Sequence, residues 1–223
     1  MGLITDDKNT EKEYFHAIDK FADWCSDHCL ELNVTKTKEL IIDFRTNPAQ
    51  IDPVTIDNDA VEIIDNFKYL GLTLDSKLDF KAHVQQIQKK GQQRLHVIRR
   101  LSGFDLNPKL LQNLYRSIIE PILIYCGPIF YRQISTTDRN KIIKISNMAE
   151  KIYGKKNPPL TNLVDNATIR KAQSIVKNPN HPLFEEFEML NSGRRYRTLM
   201  CKKAKFSRSF VPNAIKFLNQ HMK

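Results

Sequence analysis

The hydrophobic pattern of this chain changes period once, and that change limits what the chain can become. After an opening helical stretch, apolar residues up to Asp75 fall in short runs separated by Asn, Asp and Pro. From Asp79 onward they recur every three or four residues. Short strands followed by successive helices give an α+β chain, not an alternating α/β one. The charge changes sign at the same place: residues 1–75 carry a net −9 and residues 76–223 a net +19, for +10 in all. The best boundary therefore lies near Ser76–Asp79, and we expect three regions: 1–78, 79–153 and 154–223. With 223 residues, 41% of them hydrophobic, the chain can bury a core without cross-links.

In the first region, Thr10 is a plausible N-cap for an amphipathic helix over Glu11–Leu32. Its stripe is Tyr14, Phe15, Ile18, Phe21, Ala22, Cys25 and Cys29. Lys36–Asp43 reads as a short apolar strand through Leu40, Ile41 and Ile42. A loop over Thr46–Pro53 and a hairpin around Asp57-Asn58-Asp59 follow. In Phe67–Asp75, Leu70, Leu72 and Leu74 share one strand face, and Tyr69, Gly71 and Thr73 the other. Gly71 within that alternation suggests a bulge or a close backbone approach. The expected sheet is small and antiparallel, with the one helix packed on it.

The second region predicts three helices. Asp79–Ser102 places Phe80, Val84, Ile87, Leu95, Ile98 and Leu101 on a recurring face, with Gly91 as a weak point. Its other positions include Lys81, Lys89, Lys90, Arg94, Arg99 and Arg100. Asn107-Pro108 starts the next helix, which runs to about Tyr125 with a kink at Pro121. Ser135 caps a third, with Ile142, Ile145, Met148, Ala149 and Ile152 as its stripe. Three helices with short links form a small bundle.

In the third region, Gly154–Pro159 reads as a linker and Thr161–Lys177 as a helix. The apolar patch Leu183, Phe184, Phe187, Met189 and Leu190 needs a covering surface. From Arg194 to Lys223 there are nine Lys/Arg and no Asp/Glu. Arg194, Arg195, Arg197 and Arg208 interleave with Tyr196, Phe206 and Phe210, which fits either phosphate contact with base stacking or a disordered basic tail.

Several chemistries find no support. Cys25, His28 and Cys29 lack a fourth ligand, so core cysteines are the better reading. The four cysteines form no paired framework, which points to a reducing intracellular compartment, cytoplasmic or nuclear. No apolar run reaches membrane-spanning length, and the polar, acidic N-terminus does not read as a signal peptide. Thr5-Asp6-Asp7 precedes a helix start and not an apolar strand, so it is rejected as a metal-holding acid pair. No cofactor is expected.

Two segments carry a resemblance. Leu32-Asn33-Val34-Thr35-Lys36-Thr37-Lys38-Glu39 and Phe67-Lys68-Tyr69-Leu70-Gly71, in that order and at that distance, resemble the end of the reverse transcriptase of non-LTR (LINE-type) retrotransposons. Gln93-Arg94-Leu95, the 101–104 turn, Tyr115, the 118–126 run and residues 149–154 resemble its thumb. Gly193–Arg197 and Ser209–Pro212 resemble the end of its reading frame. The resemblance implies a palm end with a primer-grip-like strand (Phe67, Lys68, Tyr69, Gly71), a thumb-like bundle and a basic tail. It places Lys36 or Lys38 near the triphosphate of an intact polymerase. It also puts the catalytic aspartates, and the rest of the polymerase, upstream of Met1. The implied partner is RNA or an RNA–DNA duplex, with no catalysis by this chain.

Two alternatives stay open. Residues 93–126 also resemble a segment at the N-terminus of the eighth AlkB-type alkylated-DNA-repair homologue. An iron dioxygenase of that kind needs a His-x-Asp/Glu pair. His16, His28, His83, His96, His181 and His221 are followed two positions on by Ile18, Leu30, Gln85, Ile98, Leu183 and Lys223, so none qualifies. The other alternative is a protein-interaction bundle, for which the 184–190 patch is the pointer.

Overall fold

Helix α1 runs Lys8–Asp27, so Thr10 lies inside it and does not cap it. The computed structural model describes residues 8–44, 53–56 and 59–221. Thr5-Asp6-Asp7, most of the 46–53 loop and Asp57-Asn58 lie outside those residues. The helix stops five residues before Leu32 because Cys29 turns left-handed (φ 56°). Leu30 N–H then bonds back to the Cys25 carbonyl at 2.8 Å, a Schellman-type end. Cys29 is thereby thrown out of the stripe, while Cys25 stays buried. Tyr14, Phe15, Ile18 and Ala22 do line the core, around Val54, Ile56 and Val61. Phe21 does not. It stacks on Trp24 (6.2 Å between centroids), which stacks on His28 (4.3 Å), and both Phe21 and Trp24 are about half exposed.

Among the described residues the strands form three two-stranded sheets, where one antiparallel sheet was expected. β1 (Lys38–Glu39) follows a single 3-10 turn, Val34–Lys36, capped by Asn33 Oδ1. That turn consumes the start of the expected 36–43 strand. β1 pairs in parallel with β4 (Glu62–Ile63), in register Lys38↔Glu62. β2 (Thr55–Ile56) and β3 (Asp59–Ala60) form the expected hairpin. β5 (Asn66–Tyr69) and β6 (Leu72–Asp75) are two strands where one was expected. Their two-residue link permits only antiparallel pairing. Leu70 (φ 46°) and Gly71 (φ 88°) are both left-handed, as a tight hairpin turn requires. The turn also breaks the predicted face: Leu70 is 75% exposed and Leu72 is 6%.

The chain divides into two units, Met1–Tyr69 with Leu74–Lys77, and Leu70–Thr73 with Leu78–Lys223. In the second, α2 (Lys81–Ser102) buries Val84, Ile87, Leu95 and Ile98, the face read from the sequence. It packs chiefly on α6 (Thr136–Tyr153). Gly91 is no weak point: a Cβ there would lie 2.8 Å from Ile145 Cδ1, so glycine lets the two helices meet closely. α3 (Pro108–Ile118) starts as expected, with Asn107 Oδ1 accepting from Lys109 N–H at 2.8 Å. The break falls at Ile119, two residues before Pro121. Proline has no N–H for the Ser117 carbonyl, and the chain resumes as α4 (Glu120–Ile124). Left-handed Cys126 then re-aims it into α5 (Gly127–Phe130).

Residues 154–159 are no free linker. Asn157 Oδ1 accepts from Tyr153 Oη (2.7 Å), its Nδ2 donates to Ser146 Oγ (3.3 Å), and its N–H donates to Glu150 (2.9 Å). Tyr115 Oη joins through Ser146 Oγ at 2.9 Å. Burial in this network pushes the Tyr115 phenol well up, and that of Tyr153 to about 12.

α7 (Leu160–Val176) follows, then α8 (Ala204–Ser207) and α9 (Phe210–His221). The expected basic tail is thus structured. α9 inserts Ala214, Ile215 and Leu218 into a core with Ala172, Ile175 and Phe187. This core covers the 183–190 patch: Phe187 is 6% exposed, though Met189 and Leu190 remain accessible. Phe187 therefore no longer points to an external protein partner.

Gly91→Val should overpack the α2–α6 contact and cost about 1–3 kcal/mol. A thermal melt followed by far-UV circular dichroism checks this, and an unchanged midpoint would contradict the packing.

Candidate nucleic-acid interface

The residues proposed to touch nucleic acid are accessible, but they are not equivalent. In the first unit, Lys36 ends the 3-10 turn, exposed. Lys38 is engaged: its ammonium lies 2.5 Å from Glu62, its registered partner on the neighbouring strand. β5 is exposed along its whole length, with Phe67 at 38% and Tyr69 at 59%. Lys68, between them in sequence, projects to the opposite face of the strand, so one face carries two aromatic rings and the other a cation.

In the second unit, Gly71 lies against Tyr125. A Cβ at Gly71 would come within 3.2 Å of the Tyr125 ring, and the Tyr125 hydroxyl donates to the Leu70 carbonyl. The close approach read from the alternation is therefore present, and its partner is a side chain of this protein. Thr73 N–H lies 3.4 Å from His83 Nδ1 on α2. His83 is buried and edge-on to Phe130, at 4.8 Å between centroids. Burial, aided by the Lys90 charge, lowers its pKa to about 4.

Lys89, Lys90, Arg94, Arg99 and Arg100 are all exposed on α2. They do not form a single stripe. At about 100° per residue, Lys89 and Arg100 share the outward face, whereas Lys90 with Arg94, and Arg99, fall on opposite flanks. Arg94 is partly committed, donating to the Ile118 carbonyl at the end of α3. α2 contains no Asp or Glu. Among the described residues, no carboxylate pairs with Lys89, Lys90, Arg99 or Arg100. Arg99 and Arg100 in the last turn also favour the helix end electrostatically.

At the C-terminal end, Arg194 and Arg195 occupy an exposed turn closed by Leu190 N–H to Arg195 O at 2.8 Å. Arg197 pairs with Glu188 at 2.8 Å, so it is balanced. Arg208 is exposed just after α8. The sequence reading missed Tyr125, His83 and Lys216, of which the last stands exposed on α9.

Comparison with known proteins finds two similarities. The family described as "Alkylated DNA repair protein alkB homolog 8, N-terminal" matches residues 80–121, which here are Phe80, α2, the following loop, α3 and the start of α4. This overlaps the 93–126 segment but begins earlier. The RNA-directed DNA polymerase from mobile element jockey of Drosophila melanogaster is 27% identical over 129 residues. That stretch is 56% of this chain and only 14% of the polymerase. No solved structure is a significant match.

Gly71→Val should destabilise the second unit by about 2 kcal/mol, from left-handed strain plus contact with Tyr125; chemical denaturation measures it. His83 titrates at about 6.5 when unfolded, so folding excludes its proton between there and about pH 4. Its contribution is intact above pH 6.5 and is lost as pH falls toward 4, by up to about 3 kcal/mol. The Asp138 carboxyl, held low mainly by its hydrogen bond with Lys141, acts only at more acid pH. The stability–pH slope between 6.5 and 4 should flatten in His83→Gln.

Proposed function

We propose that this chain is a retrotransposon-derived, reverse-transcriptase-like protein that holds RNA or an RNA–DNA duplex without sequence preference. On this reading β5 and its turn correspond to a primer grip, the α2–α6 bundle to a thumb, and no polymerisation occurs on this chain. The similarity to the jockey polymerase supports the origin. The observation that carries the binding is α2 itself. Its apolar side is fixed in the bundle, Lys89 and Arg100 face outward, Lys90 and Arg99 stand on the two flanks, and no acid of its own helix lies among them. Such a surface meets phosphates and releases counterions, giving affinity that depends on salt more than on sequence.

A filter-binding titration of a short RNA–DNA duplex against salt tests this. The four substitutions Lys89→Gln, Lys90→Gln, Arg99→Gln and Arg100→Gln together should weaken binding at least about tenfold and lower the salt slope by about two. No binding at low salt, or affinity indifferent to ionic strength, rejects the reading. Extension of a primed template would reject its non-catalytic part.

The family match to 80–121 favours a second reading, an alkylated-DNA-repair-type activity. The matched stretch supplies helices α2 and α3, and the sequence has no His-x-Asp/Glu pair for iron. Iron-dependent 2-oxoglutarate turnover would favour this second reading over the first.

A further inference from the structure

A cleft of about 660 Å3 runs between the 190–201 segment and one face of α9. Both walls are fixed. Asn219 Oδ1 accepts from the Tyr196 N–H (2.8 Å) and its Nδ2 donates to the Tyr196 carbonyl (3.0 Å), which clamps the segment to the helix. Tyr196 is held from behind, edge-on to Phe187. On the other wall Asn213, Lys216 and Gln220 recur at three- and four-residue spacing along α9. The cleft brings Arg195 and Lys216, distant in sequence, to one space lined, among the described residues, by no Asp or Glu. Leu199 and Pro212 add apolar surface.

Two cations with no opposing acid select an anion, and a guanidinium suits phosphate oxygens. The volume exceeds what an inorganic phosphate fills and lies in the range of small-molecule sites. The apolar part and the Gln220 amide suit a flat, hydrogen-bonding ring. We propose that this cleft binds one nucleotide unit, its phosphate at Arg195 and Lys216 and its base against Leu199 and Pro212. The unit is either a free mononucleotide or one residue of an RNA strand. The second source deepens the nucleic-acid reading above at its C-terminal end and rests on it.

Isothermal titration of the full chain with AMP, with inorganic phosphate and with a short oligouridylate tests the assignment. AMP should bind saturably and at least about tenfold tighter than phosphate. Arg195→Gln and Lys216→Gln, both at exposed positions, should each weaken AMP about tenfold while leaving the thermal midpoint unchanged. AMP no tighter than phosphate, or unaffected by the double variant, overturns the assignment. Oligouridylate that displaces AMP and weakens with the double variant identifies an RNA residue as the occupant. Oligouridylate indifferent to those substitutions, with AMP still sensitive, identifies a free nucleotide. RNA binding that needs the α2 cations while AMP fails to bind removes the cleft assignment alone. AMP binding without any RNA binding removes the broader reading alone.

Discussion

The close contact of α2 with α6 at Gly91 governs what the second unit presents to solvent. With no Cβ at that point, Ile145 seats directly on the α2 backbone, and Val84, Ile87, Leu95 and Ile98 are drawn into one buried seam. A helix held along such a seam cannot roll about its axis. The orientation of Lys89, Lys90, Arg99 and Arg100 toward water is therefore a packing consequence, not a property of the charges. The polar knot of Tyr115, Ser146, Tyr153 and Asn157 closes the same bundle at the end of α6. Each of its buried groups has a partner, so it fixes the chain's exit toward α7.

Cations are handled in two ways, some paired with a carboxylate and some left facing solvent. Around β1 and β4, Lys38 is balanced across the strands by Glu62, and Arg197 is balanced by Glu188 in the C-terminal segment. Among the described residues, Lys89, Lys90, Arg99 and Arg100 on α2, and Arg195 and Lys216 beside α9, have no such partner. Net charge alone would not separate these cases. The separation comes from register in one place and from helix periodicity in the other.

Helices whose ends carry strong local chemistry were legible in the sequence. Asn107-Pro108, Ser135 and Gly154 each mark a boundary that the structure keeps, because cap hydrogen bonds and a left-handed residue act locally. The α2 stripe was legible for the same reason. Tertiary choices were not. Gly71 beside Leu70 marks the place without specifying a hairpin, since alternation continues through it and the usual Asn-Gly signal is absent. Parallel pairing of β1 with β4 depends on contacts 24 residues apart. α9 was hidden by its charge: nine cations from Arg194 onward read as a tail, although Val211, Ala214, Ile215 and Leu218 carry helical spacing. Of the candidate site, exposure was foreseen for most residues. The pairing of Lys38 and Arg197, and the meeting of Arg195 with Lys216, needed the fold.

The aromatic ladder on α1 has a spectroscopic consequence. Trp24 is the only tryptophan in the chain, belongs to the first unit and is about half exposed while stacked on His28. Its emission reports on the first unit, from a ring stacked on the His28 imidazole. The fully buried rings there, Tyr115 and Tyr131, give a separate ultraviolet signal. One sample thus carries two optical probes, and a lag between them during denaturation would measure how independently the two units come apart.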